Sequence, residues 1–105
     1  MELAVEAARR DLSSDFDRAL RVERVAFAAK VRAARAVLGL SQEQFGQHIG
    51  LTQKSIHRIE QGAVDPKRRT IAKIEQFLAR RGICFEYVRD GGFRLIVDSD
   101  VLLRS

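Results

Sequence analysis

The sequence has few of the residues that build disulfide frameworks, metal sites and rigid turns. Its 105 residues include one cysteine, one proline, one methionine, two histidines and no tryptophan. Cys84 cannot pair within the chain, which excludes a disulfide-stapled secreted module. The two histidines and the cysteine lack the close spacing of zinc ligands. We therefore expect neither a metal site nor any other cofactor.

Long apolar runs and catalytic motifs are missing as well. No run of about 18 apolar residues occurs, and Glu2 and Glu6 stand where a signal peptide would need a basic end and an apolar stretch. No glycine-rich phosphate loop, Ser-His-Asp set or pair of catalytic carboxylates is recognisable. We expect a small cytoplasmic domain that does not contact membranes and is not an enzyme.

The positive charge is concentrated in the middle of the chain. Residues 25–82 carry eleven Lys and Arg against four acids, a net charge of +7. Residues 1–24 hold five bases and six acids, and residues 83–105 hold three bases and four acids, so each end has a net charge of −1. A basic block of this kind is typical of a surface that faces a polyanion, although such residues also decorate solvated helix faces.

Apolar residues spaced three and four apart predict helices over most of the chain. Residues 2–20 form a helical extension that we expect to break near Ser13, because Ser14 and Asp17 have the spacing of a helix cap. Glycines that can end a helix divide the central region into separate helices, and Ser41 with Gln44 has the spacing of a capping box at the start of one of them. The predicted helices run over residues 24–38, 41–49, 52–61 and 67–81.

The hydrophobic period changes from 3.6 to 2 after Gly82. Residues 83–88 and 93–97 alternate as two strands, and Asp90-Gly91 between them is a strong hairpin signal. The tail, residues 98–105, fits either a strand or a helix. Three regions result: an N-terminal helical extension (1–24), a central helical domain (25–82), and a C-terminal β-hairpin with its tail (83–105).

The two short helices around Gly50-Leu51-Thr52 are the most informative segment. A tight glycine turn makes two helices cross steeply, so the second projects from the body. Its inner side holds Ile56 and Ile59, whereas its outer side has no carboxylate. Hydrogen-bonding and basic groups of this kind suit the acceptor-rich major groove of DNA and its phosphates. The outer residues are Gln53, Lys54, His57, Arg58 and Gln61.

Residues 35–62, RAVLGLSQEQFGQHIGLTQKSIHRIEQG, resemble the XRE (Cro/C1-type, lambda-repressor-like) helix-turn-helix transcriptional regulators. The shared pattern is Arg, Gly-Leu-Ser-Gln, Gly-x-Thr and Ile-x-x-Ile-Glu-x-Gly, and the resemblance covers about residues 27–81. It implies a mainly α, lambda-repressor-like bundle, here with the N-terminal extension and the C-terminal hairpin added. Gly46 departs from the family, which prefers alanine there.

The resemblance also implies a role for each matching residue. Gln42 would hold a phosphate at the start of its helix, Gln53 and Lys54 would reach base edges, and Arg58 would reach outer bases or the backbone. Arg35 and Glu60 match a structural ion pair of the family. The complete expected DNA-binding set is Gln42, Thr52, Gln53, Lys54, Ser55, His57, Arg58 and Gln61.

We expect a sequence-specific, dimeric transcriptional repressor of a bacterium or phage, acting at the nucleoid on a palindromic operator through recognition helix 52–61. The hairpin is the expected dimerisation element, because an isolated two-stranded ribbon is marginal in water; alternatively, it packs on its own helices. The alternative function is an antitoxin that autoregulates its operon and binds a toxin through residues 1–24 or 98–105. The expected dimerisation residues are Ile83, Phe85, Tyr87, Phe93, Leu95 and Val97.

Overall fold

A computed structural model describes the backbone of residues 2–104 and the side chains of residues 13–104. Within this range five α-helices and one two-stranded antiparallel sheet succeed one another along the chain. The order is α1 (Glu2–Leu38), α2 (Gln42–Ile49), α3 (Gln53–Glu60), α4 (Arg68–Arg80), β1 (Ile83–Val88), β2 (Gly92–Val97) and α5 (Ser99–Arg104). The expected fold class, a mainly helical chain with a C-terminal hairpin, is confirmed.

Helix α1 corrects the break predicted near Ser13. It runs without interruption from Glu2 to Leu38, so the extension and the first helix of the central domain are one element. Serine and aspartate favour helix caps but cost only a few tenths of a kcal/mol inside a helix, about the same as many other residues. Without a glycine or proline to turn the chain, continuing the hydrogen-bond ladder is the better solution. Ala8 and Leu12, which have the spacing of one helical side with Phe16 and Leu20 in the sequence, lie outside the described side chains.

The core lies where α1, α2, α3, α4 and the start of β1 meet. Its members are apolar residues that recur at helical spacing, so each helix contributes one buried side. Phe45, Ile56, Ile74 and Leu78 are at most 1% exposed, and the rings of Phe45 and Phe77 pack edge to face at 5.6 Å. The buried cluster consists of Val31, Ala34, Phe45, Ile49, Ile56, Ile59, Ile74, Leu78 and Ile83.

The ends of α2 are fixed as the sequence predicts. The Ser41 hydroxyl accepts from the Gln44 amide at 3.0 Å, and the Gln44 side chain accepts from the Ser41 amide at 2.9 Å. Gly50 ends the helix with φ +74°. A side chain at Gly46 would overlap the carbonyl oxygen of Leu51, so the missing Cβ allows the close approach of α2 to the turn before α3.

The hairpin packs against α1 rather than projecting from the body. Its register runs from the Ile83–Val97 pair to the Val88–Gly92 pair, and the two strands match their predicted bounds within one residue. The Nζ atom of Lys30 on α1 lies 5.6 Å from the ring centroids of both Phe85 and Phe93. At the tip, Gly91 lies so close to Val22 that no Cβ would fit. The hairpin therefore packs against α1 at the point where the N-terminal extension leaves the rest of the molecule.

The tail after the hairpin forms the short helix α5. Val101 is 5% exposed, and the Asp98 amide donates to the Gly82 carbonyl at 2.9 Å, which returns the chain to the end of α4. The helical alternative for the tail is the one observed. Over the part of the chain that the structure describes, no helix is both long and apolar enough to cross a membrane.

Candidate nucleic-acid interface

Helix α3 exposes the side that the sequence predicts. Ile56 and Ile59 are buried in the core, while Gln53, Lys54, His57 and Arg58 are exposed. Gln61, just past the helix, is also exposed, and Ser55 is half-buried. A ridge of donors and bases therefore projects from the body, with its apolar side locked into the core.

The start of α2 is hydrogen-bonded to the start of α3. The side-chain Nε2 of Gln53 donates to Gln42 Oε1 at 2.7 Å. Gln42 Nε2 lies 3.4 Å from His57 Nδ1 and donates to Glu60 Oε1 at 3.2 Å. Gln53 keeps its Oε1 atom and a second N–H, which match the N6 donor and N7 acceptor of adenine. Three expected DNA-binding residues (Gln42, Gln53 and His57) are thus within one connected group.

The turn residues Thr52 and Ser55 fix the first turn of α3. Thr52 Oγ1 accepts from the Ser55 amide at 3.1 Å and donates to Ser55 Oγ at 2.9 Å. Both residues were expected to contact DNA. In the structure both take part in this cap. The cap satisfies one backbone donor, while other amides at the start of α3 have no partner within their own helix, as in any helix.

Glu60 is the anchor of α3 on α1. Arg35 donates to both of its carboxylate oxygens, from Nε at 2.8 Å and from a terminal nitrogen at 2.9 Å, which is the ion pair expected from the sequence. Burial disfavours the carboxylate, which is 4% exposed, but the hydrogen bonds from Arg35 and Gln42 outweigh burial and hold the pKa of Glu60 below its usual range. The hydrogen bond to Glu60 raises the pKa of Arg35.

Arg32 is a further contact of α3 that the sequence pattern alone did not identify. Its guanidinium donates to the main-chain carbonyl of Glu60. The two arginines are three residues apart on α1, which places them on one side of the helix. That spacing was the sequence signal from which a second arginine contact to α3 could have been predicted. Arg32 and Arg35 together hold the C-terminal end of α3, by its backbone and by its only carboxylate.

Bases dominate the exposed side around α3. The one acid of α3 is neutralised inside the body by Arg35, so Lys54 and Arg58 have no acid beside them on that helix. Lys67, Arg68 and Arg69 are exposed at the start of α4, which has no acid in its first turn. Bases at the positive end of a helix dipole are unfavourable without a nearby anion. The arrangement can bind a polyanion.

The expected dimerisation residues fall into two groups. Ile83 is 1% exposed, and Phe85, Phe93, Leu95 and Val97 are half-buried on the side of the sheet that faces the chain's own helices. Tyr87 is 80% exposed. The sheet contains only β1 and β2 within the described residues, so each strand has one edge without a neighbouring strand. Of the six expected residues, Tyr87 is therefore the one that is mostly exposed.

Sequence comparisons agree with this geometry. A family model described as a helix-turn-helix domain matches residues 26–81, which is just over half of the chain. The matched range begins within α1 and ends after α4, so it includes α2, α3 and the Arg35–Glu60 pair. No curated protein matches the chain in sequence.

Proposed function

The chain belongs to the helix-turn-helix domain family, in the XRE or Cro/C1-like class, and from this premise we propose that it is a sequence-specific transcriptional repressor. A domain of this family indicates a DNA-binding regulator. The finer proposal is that two copies bind a palindromic operator through α3 and exclude RNA polymerase from the promoter that contains it.

The observation that carries the proposal is the hydrogen-bonded contact between Gln42 and Gln53 beside an exposed ridge without free carboxylates. Gln42 at the start of α2 would hold a phosphate, which fixes the position of Gln53 in the major groove. Gln53 would recognise adenine, and Lys54 and Arg58 would recognise guanine. Thr52, Ser55, His57 and Gln61 would contact flanking phosphates and outer bases.

A dimer is expected because the interface between one recognition helix and DNA is small. One recognition helix reads only a few base pairs, which is too few for selectivity against a genome. Two copies related by a two-fold axis would read half-sites about 34 Å apart, one turn of the duplex. Five of the six hairpin side chains expected at a dimer contact are used inside the chain, so only Tyr87 of that set is left to meet a second copy, and the main contact is expected elsewhere.

Transcription in vitro tests the repressor proposal. Two templates are compared, one with the protein's preferred site overlapping the promoter and one with the same bases shuffled. We expect transcript from the first template to fall as the site is occupied, while the second is unaffected at the same protein concentration. Equal output from the two templates at full occupancy would contradict repression, and a rise in output would indicate an activator.

A further inference from the structure

The N-terminal half of α1 extends beyond the body. The helix has 37 residues, which makes it about 55 Å long, and the molecule measures 63 Å in its longest dimension against 28 and 19 Å in the others. Residues 13–21 are all exposed, and the hairpin tip packs closely against the helix at Val22. Helices in proteins gain most of their stability from tertiary packing of an apolar side, so a partner is expected to stabilise this exposed half.

This extension continues the apolar side of α1 that covers the core. Past the charged turn at Glu23 and Arg24, the side of α1 that holds Phe16 and Leu20 continues through Phe27, Val31 and Ala34. The last three pack in or against the core, whereas Phe16 is 65% exposed and Leu20 is 42% exposed. Because α1 does not break at Ser13, this apolar face leaves the body in line and is not folded back onto it.

Within residues 11–24, which follow the basic pair Arg9 and Arg10, the charges beside this face change sign at the midpoint. Asp15 and Asp17 precede the midpoint, and residues 11–17 contain no base. Arg18, Arg21 and Arg24 come after it, with Glu23 as the single acid among residues 18–24. Two such helices side by side in a parallel arrangement would place like charges together. An antiparallel arrangement centred between Asp17 and Arg18 would place each acidic half beside a basic half.

We propose that two copies of the chain pair through the N-terminal half of α1 in antiparallel orientation, with Phe16 and Leu20 at the centre of the contact. A partner of one charge sign would be repelled by one half of the face, whereas a second copy carries both signs in the required order. The pairing extends the proposed function, because it names the surface that joins the two DNA-binding domains. It rests on the proposed function in one respect, namely that reading two half-sites requires a dimer.

The pairing has a consequence for the position of α3. The same uninterrupted helix carries Phe16 and Leu20 at one end and Arg32 and Arg35 at the other, where they hold Glu60. With no hinge between the two ends, the crossing of the two α1 helices sets the separation and orientation of the two recognition helices.

A charge-reversal pair of variants tests the pairing. The basic variant is Asp15→Arg with Asp17→Arg, and the acidic variant is Arg18→Asp with Arg21→Asp; all four side chains are exposed. Mass is measured by sedimentation without DNA at micromolar concentration. We expect the parent to be a dimer and each variant to self-associate at least about tenfold more weakly. An equimolar mixture of the two variants should recover the parent's dimer.

The mixture distinguishes the loss of contacts between two chains from the loss of charge pairs within one helix. Both variants lose the Asp15–Arg18 and Asp17–Arg21 neighbours of the same helix, and mixing cannot restore those. A monomeric parent, variants that remain dimers, or a mixture of folded variants that remains monomeric would each overturn the proposal. Circular dichroism checks that both variants keep their helices.

Two further variants locate the contact. Phe16→Ala with Leu20→Ala should weaken self-association, and mixing it with either charge variant should not restore the dimer. Tyr87→Ser at the hairpin is the matched control and should leave self-association within about twofold of the parent. If Tyr87→Ser dissociates the dimer and the charge reversals do not, the hairpin is the interface and the pairing of α1 is wrong. Because no DNA is present, either result leaves base recognition by α3 to be judged separately.

Discussion

Glu60 is the residue at which α1, α2 and α3 meet. It accepts from Arg35 on α1 and from Gln42 on α2, and its own main-chain carbonyl accepts from Arg32. Gln42 in turn holds Gln53. The ion pair is therefore part of the network that positions the residues expected to reach DNA, besides contributing to stability.

Breaking half of this pair should cost more than removing all of it. Arg35→Met leaves the Glu60 carboxylate buried without its main partner, which is expected to lower the free energy of unfolding by about 3–5 kcal/mol. Adding Glu60→Met to that variant should recover part of the loss, because no charge is then left unpaired. Urea denaturation of the two single variants and the double variant measures this, and losses that simply add would show that the two groups are not coupled.

The same carboxylate predicts a pH dependence of stability. The pKa of Glu60 lies below the ordinary value of 4.5 when the chain is folded, so its stabilisation is complete above that value. The stabilisation is lost as the pH falls through the folded-state pKa. The difference in unfolding free energy between the parent and Glu60→Gln should therefore be largest near neutral pH and shrink below pH 4.5. A difference that stays constant down to about pH 3 would mean that Glu60 does not titrate differently on folding.

Base-reading and phosphate-binding residues should differ in their effect on sequence preference. Lys54→Ala and Arg58→Ala are each expected to cost about 1–3 kcal/mol on the preferred duplex and less on a shuffled one. Gln42→Ala should weaken binding to both duplexes, since a phosphate contact is lost on any sequence, with a smaller added loss on the preferred duplex because Gln53 loses its hydrogen-bond partner. Fluorescence anisotropy with the two duplexes measures both affinities, and equal losses for Lys54→Ala on both would remove its base-reading role.

At the scale of elements, the contact between the hairpin tip and α1 leaves no room for a side chain at Gly91. Gly91 has φ +84°, and a Cβ there would meet Val22. Gly91→Ala should therefore lower stability by about 1–2 kcal/mol from the backbone conformation alone, with a further loss from the collision. Combining it with Val22→Ala should recover the collision part only. Thermal unfolding of the three variants tests this, and a double variant no more stable than Gly91→Ala would exclude the contact.

The helix and turn boundaries that the sequence predicted best are those marked by residues with a specific capping or turn conformation. Ser41 with Gln44, Gly50, and the Asp90-Gly91 turn each predict a boundary from local backbone needs, and those boundaries are observed. The predicted break in α1 was wrong, because the Ser14–Asp17 pattern allows a cap but does not require the chain to turn. Where the tail and the inner side of the hairpin pack depends on distant partners, which local periodicity does not reveal.

The hydrogen bonds of the site also divide into those that the sequence predicts and those that depend on tertiary packing. The residues of the ridge follow from the spacing of α3, and the Arg35–Glu60 pair follows from the family resemblance. The bond between Gln42 and Gln53, and the contact of Arg32 with a main-chain carbonyl, depend on how α2 and α1 cross α3. Crossing geometry is set by packing at Gly46 and in the core, and it becomes visible only in the folded chain.

The whole molecule combines a basic centre with ends of slight negative charge. Residues 25–82, which include α3, carry +7, while residues 1–24 and 83–105 carry −1 each. Such a distribution attracts any DNA through its phosphates, and this attraction falls steeply with salt. Contacts to bases do not depend on salt in the same way, so specificity should become clearer as the ionic strength rises.

The central claim is that α3 reads a DNA sequence, and binding selection from a random duplex library tests it most directly. The enriched duplex and a shuffled version are then titrated by fluorescence anisotropy over a series of salt concentrations. We expect an enriched sequence with two-fold symmetry and half-sites about one helical turn apart, preferred by at least several hundred-fold at physiological salt. No enrichment, with equal and steeply salt-dependent binding to every duplex, would contradict the claim and leave only phosphate contacts.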